Sequence, residues 1–522
     1  MVQTIPAKAA AAEIISRDPT TGEEIGRAPL TMPEEVARAV DRARAAQPAW
    51  AALSYAERGR LILNARKIVL KELEQIALLI SQETGKPVAE AIAMEITPSL
   101  DLMYYFARRT GEILRPQRIG IGLYGWMGRT SHIIHKPLGV VGIISPWNFP
   151  WATPLDQVAM ALMAGNAVVI KPSELTPLTA LKIKDVFTHA GLADGLLQVV
   201  TGDGSTGAAL VGAGPDKIIL TGSVATGKRV AEAAANYLIP LVLELGGKDA
   251  MVVLEDANLE NAARGAVWGA FANSGQACAS VERCYVHEAI AESFTQAVVI
   301  ETKRLRQSGD KQGDVGSMIT DQQLRTVERH VYEATARGAK ALTGGERVPE
   351  VPGSFFPPTV LTNVNHDMDV MREETFGPVL PIMTFKTEEE AVRLANDSMF
   401  GLTASVWTSD LERGKKFAER IEAGTVTINE VLYTHAIGQT PWGGVKQSGI
   451  GRTHGHAGLL EMVNQQHIHV NRFASVPDVW WFNYTPDAGR LFRGLAKRFS
   501  SGSVFQMLLL LPQMIRRLNE RR

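Results

Sequence analysis

Cysteine, net charge and long apolar runs are all scarce in this sequence. Its 522 residues include only two cysteines, Cys278 and Cys284, too few for a disulfide framework or a cysteine-rich metal site, so we expect no bound metal. Lysine and arginine number 54 against 55 aspartates and glutamates, which argues against nucleic acid as a partner. No apolar run reaches the roughly 20 residues that span a bilayer, and the N-terminus lacks a signal-peptide pattern. These absences predict a cytoplasmic protein in a reducing environment.

Hydrophobic periodicity divides the chain into helical and strand-forming regions. Residues 33–50 and 57–85 place apolar side chains three and four positions apart, as amphipathic helices do. From residue 131 to 247, short β-branched runs cut by glycine and proline alternate with helical segments. A similar alternation restarts after residue 247 and continues to about 455. Strands that alternate with helices predict an α/β fold with parallel, doubly wound sheets.

The stretch NSGQACAS (273–280) places a thiol, Cys278, in a glycine-containing loop after a predicted helix over 259–275. Loops at such junctions often carry functional residues, so Cys278 is a candidate nucleophile. The alternative is a small buried apolar residue, the common role of a free cysteine. For Cys284, which lies on a predicted strand in RCYVH, we favour that alternative.

Two other polar residues end predicted strands. Asn148 in SPWNFP (145–150) has an amide N–H that can donate to an oxyanion, although turns also favour asparagine. Glu244 in LELGGK (243–248) ends an apolar strand, where apolar surroundings would raise the pKa of its carboxyl and suit it to act as a base. A buried salt bridge is the alternative role for this glutamate.

Two segments indicate a ligand site at the carboxyl edge of the first sheet. Lys171 and Glu174 follow the apolar strand of VVIKPSE, where open α/β sheets bind ligands. LTGSVATGKRV (220–230) runs from a strand through glycine and serine into a helix, and a helix N-terminus attracts phosphate. The segment lacks the G-x-G-x-x-G fingerprint, so by itself it is a weak signal.

Taken in order, seven motifs resemble the aldehyde dehydrogenase superfamily from about residue 13 to about 470: SPWNFP, KPSELTP, LTGSVATG, LELGGK, GQACAS, EETFGPV and PWGGVKQSGIGR. The resemblance implies a Rossmann-like cofactor domain, an α/β catalytic domain and a small arm that pairs subunits into homodimers or homotetramers. The expected ranges are 1–114 with 136–246 for the cofactor domain, 247–457 for the catalytic domain, and 115–135 with 458–475 for the arm. Within the superfamily, ACASVERCYV and the extended C-terminus are most similar to a bacterial succinate-semialdehyde dehydrogenase-like branch.

The resemblance also implies a reaction, the NAD(P)-dependent oxidation of a small-molecule aldehyde to a carboxylic acid. Cys278 would attack the aldehyde carbon, and the Asn148 amide would hold the resulting oxyanion. Glu244 would activate the water that hydrolyses the thioester on Cys278. Family members that pass the acyl group to coenzyme A often lack this glutamate, so its presence favours hydrolysis.

The implied cofactor residues are Trp147, Lys171, Glu174, Gly222, Ser223, Leu245, Glu374 and Phe376. Lys171 and Glu174 would hold the adenosine ribose, and Glu374 and Phe376 the nicotinamide end. A helix cap is the alternative role for Ser223, and core packing the alternative for Phe376. Because the Glu174 carboxylate repels a 2′-phosphate, we expect NAD to be preferred over NADP, although Lys171 offsets part of that repulsion.

Phe149, Tyr433 and Trp442 are the expected substrate-pocket residues, and aromatic walls suit apolar or medium-length aldehydes.

Two alternative functions for the whole protein remain open. A cysteine hydrolase would pair Cys278 with His287 or His330, but no hydrolase signature surrounds these histidines. A catalytically silent relative would keep the fold and bind the cofactor without turnover.

Residues 476–522 lie beyond the region of resemblance and form a basic C-terminal extension. From 488 to 522 the chain has eight basic residues and one acidic residue, a net charge of +7. Leu491, Leu495 and Phe499 fall on one face of a predicted helix, followed by an apolar run. This pattern is typical of a peripheral membrane anchor, and packing on a neighbouring subunit is the alternative.

Overall fold

The computed structural model describes residues 13–347, 353–500, 505 and 508–519. The chain divides into two compact units, of which the first comprises 1–113 and 137–464 and the second 114–136 and 465–522. The strands, in chain order, are β1 (Glu13–Arg17), β2 (Glu24–Pro29), β3 (Gln117–Ile119), β4 (Arg129–Pro137), β5 (Val140–Ile144), β6 (Ala167–Lys171), β7 (Leu197–Val199), β8 (Lys217–Thr221), β9 (Leu241–Glu244), β10 (Asp249–Val253), β11 (Val281–His287), β12 (Lys340–Thr343), β13 (Thr359–Thr362), β14 (Val379–Phe385), β15 (Thr403–Trp407), β16 (Thr425–Ile428), β17 (Gly449–Ile450) and β18 (Val463–Asn471).

The α-helices are α1 (Pro33–Ala51), α2 (Tyr55–Lys71), α3 (Leu73–Thr84), α4 (Val88–Ala91), α5 (Thr97–Ile113), α6 (Leu123–Trp126), α7 (Ala152–Ala164), α8 (Pro177–His189), α9 (Gly204–Gly212), α10 (Val224–Ala235), α11 (Leu259–Phe271), α12 (Ala291–Arg304), α13 (Asp321–Ala336), α14 (Asp369–Arg372), α15 (Glu388–Asn396), α16 (Leu411–Ala418), α17 (Gly455–Leu460), α18 (Pro486–Phe499) and α19 (Leu511–Asn519). The region 57–85, which has a helical pattern throughout, forms two helices. Glu72 leaves helical geometry between α2 and α3, and its carboxylate pairs with Lys182 at 2.7 Å.

The first sheet has the strand order β17-β9-β8-β5-β6-β7. Its strands are parallel except for the short edge strand β17, which runs antiparallel to β9. Every residue of β5 and β6 is buried, as expected for strands covered by helices on both faces. The strand order reverses between β5 and β8, which opens a crevice at the carboxyl ends of these strands.

The second sheet, also in the first unit, has seven strands in the order β12-β13-β14-β11-β10-β15-β16. All pairs are parallel except β12 with β13 at one edge. Two apolar clusters cover its faces, one around Phe356 and Phe417 and one around Phe271 and Phe294. The observed architecture is therefore the α/β, doubly wound arrangement that the alternation of strands and helices predicts.

The second unit contains a three-stranded sheet in the order β18-β4-β3 and the helices α18 and α19. Its described residues from 465 onward lie on both sides of residue 475, the expected end of the arm. Residues 458–464, expected in the arm, lie in the first unit. Among the described residues, no helix combines the length and apolarity needed to cross a membrane.

Two of the three side chains that define the predicted apolar face of α18 pack inside the second unit. Leu491 and Leu495 are buried against Val479 and Leu510 within the second unit. The side chain of Phe499, assigned to the same face, lies outside the described residues. After residue 475, the exposed large apolar side chains among the described residues are instead Trp481, Phe482, Tyr484, Phe505, Leu508, Leu509, Leu511 and Ile515.

A buried carboxylate, Glu83 at the end of α3, joins three segments of the first unit. It accepts hydrogen bonds from the Ser16 hydroxyl at 2.7 Å and from the backbone N–H groups of Leu178 at 3.0 Å and Thr179 at 2.8 Å. The Thr179 hydroxyl donates a fourth at 2.7 Å. Because the first N–H groups of a helix lack intrahelical partners, Glu83 acts as a cap for α8 supplied from another helix.

We expect Glu83→Ala to lower the free energy of unfolding by about 2–4 kcal/mol, because several buried donors lose a charged acceptor at once. Denaturant-induced unfolding followed by circular dichroism measures this. Glu74→Ala, an exposed position on the same helix, is the matched control and should change stability by less than about 0.5 kcal/mol. Equal midpoints for the two variants would contradict the capping role.

Candidate active site

The carboxyl ends of the two sheets in the first unit border a cavity of about 560 Å³. Of the residues predicted from the sequence, only Lys171 and Glu174 do not line it. The others that line it are Trp147, Asn148, Phe149, Gly222, Ser223, Glu244, Leu245, Cys278, Glu374, Phe376, Tyr433 and Trp442. Residues from six of the seven motifs are therefore brought to one cavity.

The loop that carries Cys278 has an unusual backbone. The preceding helix, expected to reach residue 275, ends at Phe271, and Asn273 and Ser274 take left-handed conformations with φ of 51° and 55°. Gly275 has φ of +70°, and a Cβ there would clash with the carbonyl of Gly377. These turns hold Cys278 half-buried against the apolar cluster around Trp442.

Asn148 is fixed to the same loop by hydrogen bonds. Its side-chain Nδ2 donates to the carbonyl of Gln276 at 3.0 Å, which leaves its second N–H for another acceptor. Its backbone carbonyl accepts from the Asn273 side chain at 3.0 Å and from Lys86 Nζ at 2.7 Å. The turn after β5 and the cysteine loop are therefore held together by hydrogen bonds at both ends of Asn148.

Lys86 in turn forms a buried ion pair with Glu95 at 2.6 Å, and its Nζ lies 4.3 Å from the ring centre of Phe149. Glu95 lies in a π-helical turn (Ile92–Ile96) and accepts from the backbone N–H of Trp151 at 2.8 Å. Sequence reasoning missed this pair. The available signal was an acidic residue within the otherwise apolar stretch AIAMEI.

Glu244 ends β9 and is buried, yet neither of its carboxylate oxygens has a hydrogen-bond partner among the described residues. The structure therefore does not show the salt bridge considered for it. Burial raises the pKa of Glu244 well above its ordinary value, and the positive charge of Arg452 opposes the shift only in part. A buried carboxyl group with a raised pKa and no partner is suited to proton transfer.

The segment that holds Glu374 and Phe376 is anchored by a second buried ion pair. Glu282 pairs with Lys248 at 2.6 Å and accepts from the backbone N–H groups of Thr375 and Phe376 at 2.7 and 2.9 Å. Glu374 accepts from the N–H of Gly247 at 3.1 Å, and Phe376, with φ of +50°, lies edge-on to Trp147. Phe376 therefore lines the cavity and is not part of a closed core.

The thiol of Cys278 lies among acidic groups. Burial raises its pKa, and the nearby carboxylates of Asp249, Glu374 and Glu244 raise it further. Burial also raises the pKa of Asp249 to about 8 and that of Glu374 to about 8. These shifts favour the protonated form of the thiol.

Lys171 and Glu174 lie outside the cavity, at the end of β6, where they form an ion pair at 3.6 Å. Burial lowers the pKa of Lys171, whereas the Glu174 carboxylate is half-exposed. Ser223 is the N-cap of α10, since its hydroxyl accepts from the N–H of Thr226 at 3.2 Å. The helix-cap alternative for Ser223 is thus observed, and the residue still borders the cavity.

Comparisons with known proteins agree on one family. The model of the aldehyde dehydrogenase family matches residues 6–468. A Methylomonas protein named 4,4′-diapolycopene aldehyde oxidase is 40% identical over 481 residues, 92% of this chain and 90% of the relative. A Mycobacterium ulcerans protein named for succinate-semialdehyde dehydrogenase activity with NADP⁺ is 39% identical over 473 residues, which cover 90% of this chain and 89% of the relative.

Solved structures give the same result. An NAD-dependent aldehyde dehydrogenase from Sinorhizobium meliloti superposes with a TM-score of 0.86 at 36% identity, covering 91% of this chain and 94% of that one. The NAD⁺ complex of a Bacillus cereus aldehyde dehydrogenase superposes with a TM-score of 0.85 at 34% identity, covering 88% of this chain and 94% of that one. The chain belongs to the aldehyde dehydrogenase family. It is accordingly an NAD(P)-dependent oxidoreductase that acts on the aldehyde group of its substrates.

The residues present fit a nicotinamide dinucleotide. The cavity runs without interruption from Gly222 and Ser223, at the N-terminus of the 12-residue helix α10, to the thiol of Cys278. Helix N-termini favour phosphate because their first N–H groups lack intrahelical partners. Gly227 lets α10 approach β9 closely, since a Cβ there would lie 2.7 Å from Leu245. The cleft therefore offers a diphosphate site next to the candidate nucleophile.

We expect iodoacetamide to alkylate Cys278 more slowly than a free cysteine at neutral pH, with a rate that keeps rising above about pH 9, because its pKa is raised. Glu374→Gln should increase the rate at about pH 9 by roughly threefold to tenfold, since removal of a neighbouring negative charge lowers a thiol pKa by up to about one unit. Mass spectrometry measures the modification.

Cys278→Ser gives the background, because Cys284 is fully buried and should not react. A neutral-pH rate equal to that of free cysteine would show that the thiol is not held in its protonated form.

Proposed function

We propose that the chain oxidises an apolar aldehyde to a carboxylic acid with Cys278 as nucleophile, Asn148 as oxyanion donor and Glu244 as base. The observation that carries the proposal is that a thiol, a pre-oriented amide N–H and a carboxylate without partners line the same cavity. Nucleophile, oxyanion donor and base are the three groups that acyl chemistry of this kind requires.

The residues act in sequence. The thiolate form of Cys278 forms a bond to the aldehyde carbon, and the oxygen becomes an oxyanion that accepts from the free N–H of Asn148 Nδ2. Bound NAD(P)⁺ supplies the acceptor for the hydride that the carbon then loses. The remaining thioester on Cys278 is attacked by a water from which Glu244 takes a proton, and the C–S bond breaks to release the acid.

The geometry at the end of β6 supports NAD as the preferred cofactor. The Glu174 carboxylate is half-exposed and can accept hydrogen bonds from ribose hydroxyls. A 2′-phosphate would meet its negative charge, which the buried Lys171 neutralises only in part. Relatives of both kinds exist, since the Sinorhizobium enzyme is named for NAD and the Mycobacterium protein for NADP⁺.

The walls of the cavity favour an apolar aldehyde over succinate semialdehyde. No lysine or arginine occurs among the described residues that line it, so a substrate carboxylate would be buried without a cation. Trp147, Phe149, Trp268, Tyr433 and Trp442 provide aromatic surface instead. The Methylomonas relative is named for the oxidation of 4,4′-diapolycopene aldehyde, which is in keeping with an aldehyde substrate.

Glu244→Gln should retain one rapid equivalent of NADH per active site and then stall, because the thioester forms but its hydrolysis lacks a base. Asn148→Ala should lower the rate of that first equivalent by roughly 10²–10³, the usual effect of removing an oxyanion donor. Stopped-flow NADH absorbance with a medium-chain aliphatic aldehyde separates the two phases.

Cys278→Ser is the control and should give no NADH. Full steady-state turnover in Glu244→Gln would contradict the role of the base. A kcat/KM for succinate semialdehyde above that for every aliphatic or aromatic aldehyde would contradict the proposed substrate class, and a higher kcat/KM with NADP would contradict the cofactor preference.

The second unit supports assembly into a homo-oligomer. In the described part of the chain, β18 is a nine-residue strand at the edge of its sheet, and Ile468 and Val470 on it are exposed. A long edge strand with exposed apolar side chains is a template for pairing with another chain. A second copy that pairs along β18 would cover this edge.

The exposed apolar side chains of the second unit support binding to an anionic membrane surface. Phe482 is 77% exposed and Phe505 82% exposed, and they lie in a region whose residues 488–522 have a net charge of +7. Aromatic side chains enter the interfacial layer of a bilayer, while basic residues attract anionic headgroups. The proposed anchor is this exposed set and not the buried face of α18.

The double variant Phe482→Ser/Phe505→Ser should bind vesicles containing phosphatidylserine at least tenfold more weakly, since each buried phenylalanine contributes about 2 kcal/mol. Binding of the unaltered protein should weaken with salt. Co-sedimentation measures both effects, and Tyr332→Ser, which removes an equally exposed aromatic from the first unit, is the matched control. Absence of binding at low salt, or self-association that these substitutions abolish, would contradict the anchor.

A further inference from the structure

Three ligating side chains with no part in the reaction meet at the wall of the cavity. Asp156 lies on α7, His435 lies in the 3₁₀ turn Tyr433–Ala436, and His454 directly precedes α17. One ligating atom from each lies within 4.8 Å of the other two. Asp156 and His454 are each 1% exposed, and both histidines border the cavity.

The polar atoms of this cluster lack the partners that buried groups normally have. Neither carboxylate oxygen of Asp156 has a hydrogen bond among the described residues, and neither has Nδ1 of His454. His454 Nε2 lies 3.7 Å from Asp156 Oδ2, beyond hydrogen-bond length. The Ser99 hydroxyl faces Asp156 without reaching hydrogen-bond geometry. A buried carboxyl group and imidazole that both lack partners are costly, and their convergence indicates a bound ligand.

The surroundings of the cluster narrow the chemistry of that ligand. The His435 ring lies edge-on to those of Trp442 and His454, with ring centres 5.0 and 4.7 Å apart, which limits rotation of the imidazoles. No lysine or arginine is among the described residues that line the cavity beside the cluster. Imidazole nitrogen and carboxylate oxygen atoms on a cavity wall without a cation favour a positively charged ligand.

We propose that Asp156, His435 and His454 bind a divalent transition-metal ion, such as Zn²⁺, at the wall of the cavity. Two imidazole nitrogens and one carboxylate oxygen are a common protein ligand set for such ions, and a three-residue set leaves a coordination position open. Bonds of about 2.0–2.2 Å place the ligand atoms roughly 3–3.5 Å apart, so small side-chain rotations bring these three atoms into range. The open position faces the cavity, where the ion would coordinate water or an oxygen atom of a bound molecule.

The metal site goes beyond the proposed oxidation and does not depend on it. None of the three ligands takes part in the steps assigned to Cys278, Asn148 and Glu244. The ion would place the only fixed positive charge on a cavity wall that otherwise has none among its described residues. The experiment therefore measures metal binding directly and does not require the protein to oxidise an aldehyde.

The experiment uses full-length protein with the substitution Cys278→Ser, so that the thiol in the same cavity cannot act as a ligand, after dialysis against a chelator. Co²⁺ should bind with one equivalent and give a visible d–d absorption band, and Zn²⁺ should displace it. Asp156→Asn and His454→Asn should each weaken Co²⁺ binding at least tenfold and remove the band, because the two protein ligands that remain are not enough to hold the ion. Asparagine is chosen at 454 because His454 has φ of +58°.

Two control variants exclude other histidines. His456→Asn alters an exposed histidine two residues from the cluster, and His467→Asn breaks the pair that His467 and His469 form on β18. Both should keep the full equivalent of Co²⁺. His435→Asn provides a third test on the half-exposed turn in case a buried substitution disturbs folding, which circular dichroism would reveal. Absence of Co²⁺ binding in the Cys278→Ser protein, or binding that survives all three cluster substitutions, would overturn the proposal.

Discussion

The buried ion pair between Lys86 and Glu95 is the interaction on which the arrangement of the active site depends. Lys86 holds the backbone carbonyl of Asn148, and Glu95 holds the N–H of Trp151, so the turn after β5 is fixed at both of its ends. Buried ion pairs add little net stability because desolvation opposes their attraction. Their value here is geometric, since they determine where the Asn148 amide lies relative to the cysteine loop.

A second constraint is the concentration of carboxyl groups around one thiol. Glu244, Glu374 and Asp249 all lie near Cys278, and burial raises the pKa of each. Burial and these groups together raise the pKa of the thiol, and a protonated thiol resists oxidation because the thiolate is the reactive form. A cofactor with a positively charged nicotinamide ring would favour the thiolate, so its arrival in the cleft would couple cofactor binding to activation of the nucleophile.

Much of the fold and part of the site could be predicted from the sequence. The alternation of strands and helices after residue 131 is local information, and it predicts parallel sheets whose carboxyl edges carry Asn148, Glu244 and Lys171. Contacts between distant residues were not predictable in this way. Nothing in one sequence indicates that Lys86 lies beside Asn148, or that Asp156 and His454, nearly three hundred residues apart, face each other.

The amphipathic pattern of α18 shows the same limit. Its periodicity correctly predicts a helix with one apolar face, because that property is local. The residues that cover this face are determined by tertiary packing, and in the structure they are Val479 and Leu510 from the same unit. The side chains that remain exposed lie in the irregular segment before the helix and in the segment after it, where periodicity gives no guidance.

The strand β17 has a consequence for the order in which the protein is completed during synthesis. It pairs with β9 through Gly449 opposite Glu244, although more than two hundred residues separate them in the chain. Until residue 450 has left the ribosome, the first sheet has an open edge at β9, with unpaired backbone groups that other chains can join. A nascent chain that stalls within the second sheet would therefore present this edge to its neighbours, and association with a chaperone at that stage would protect it.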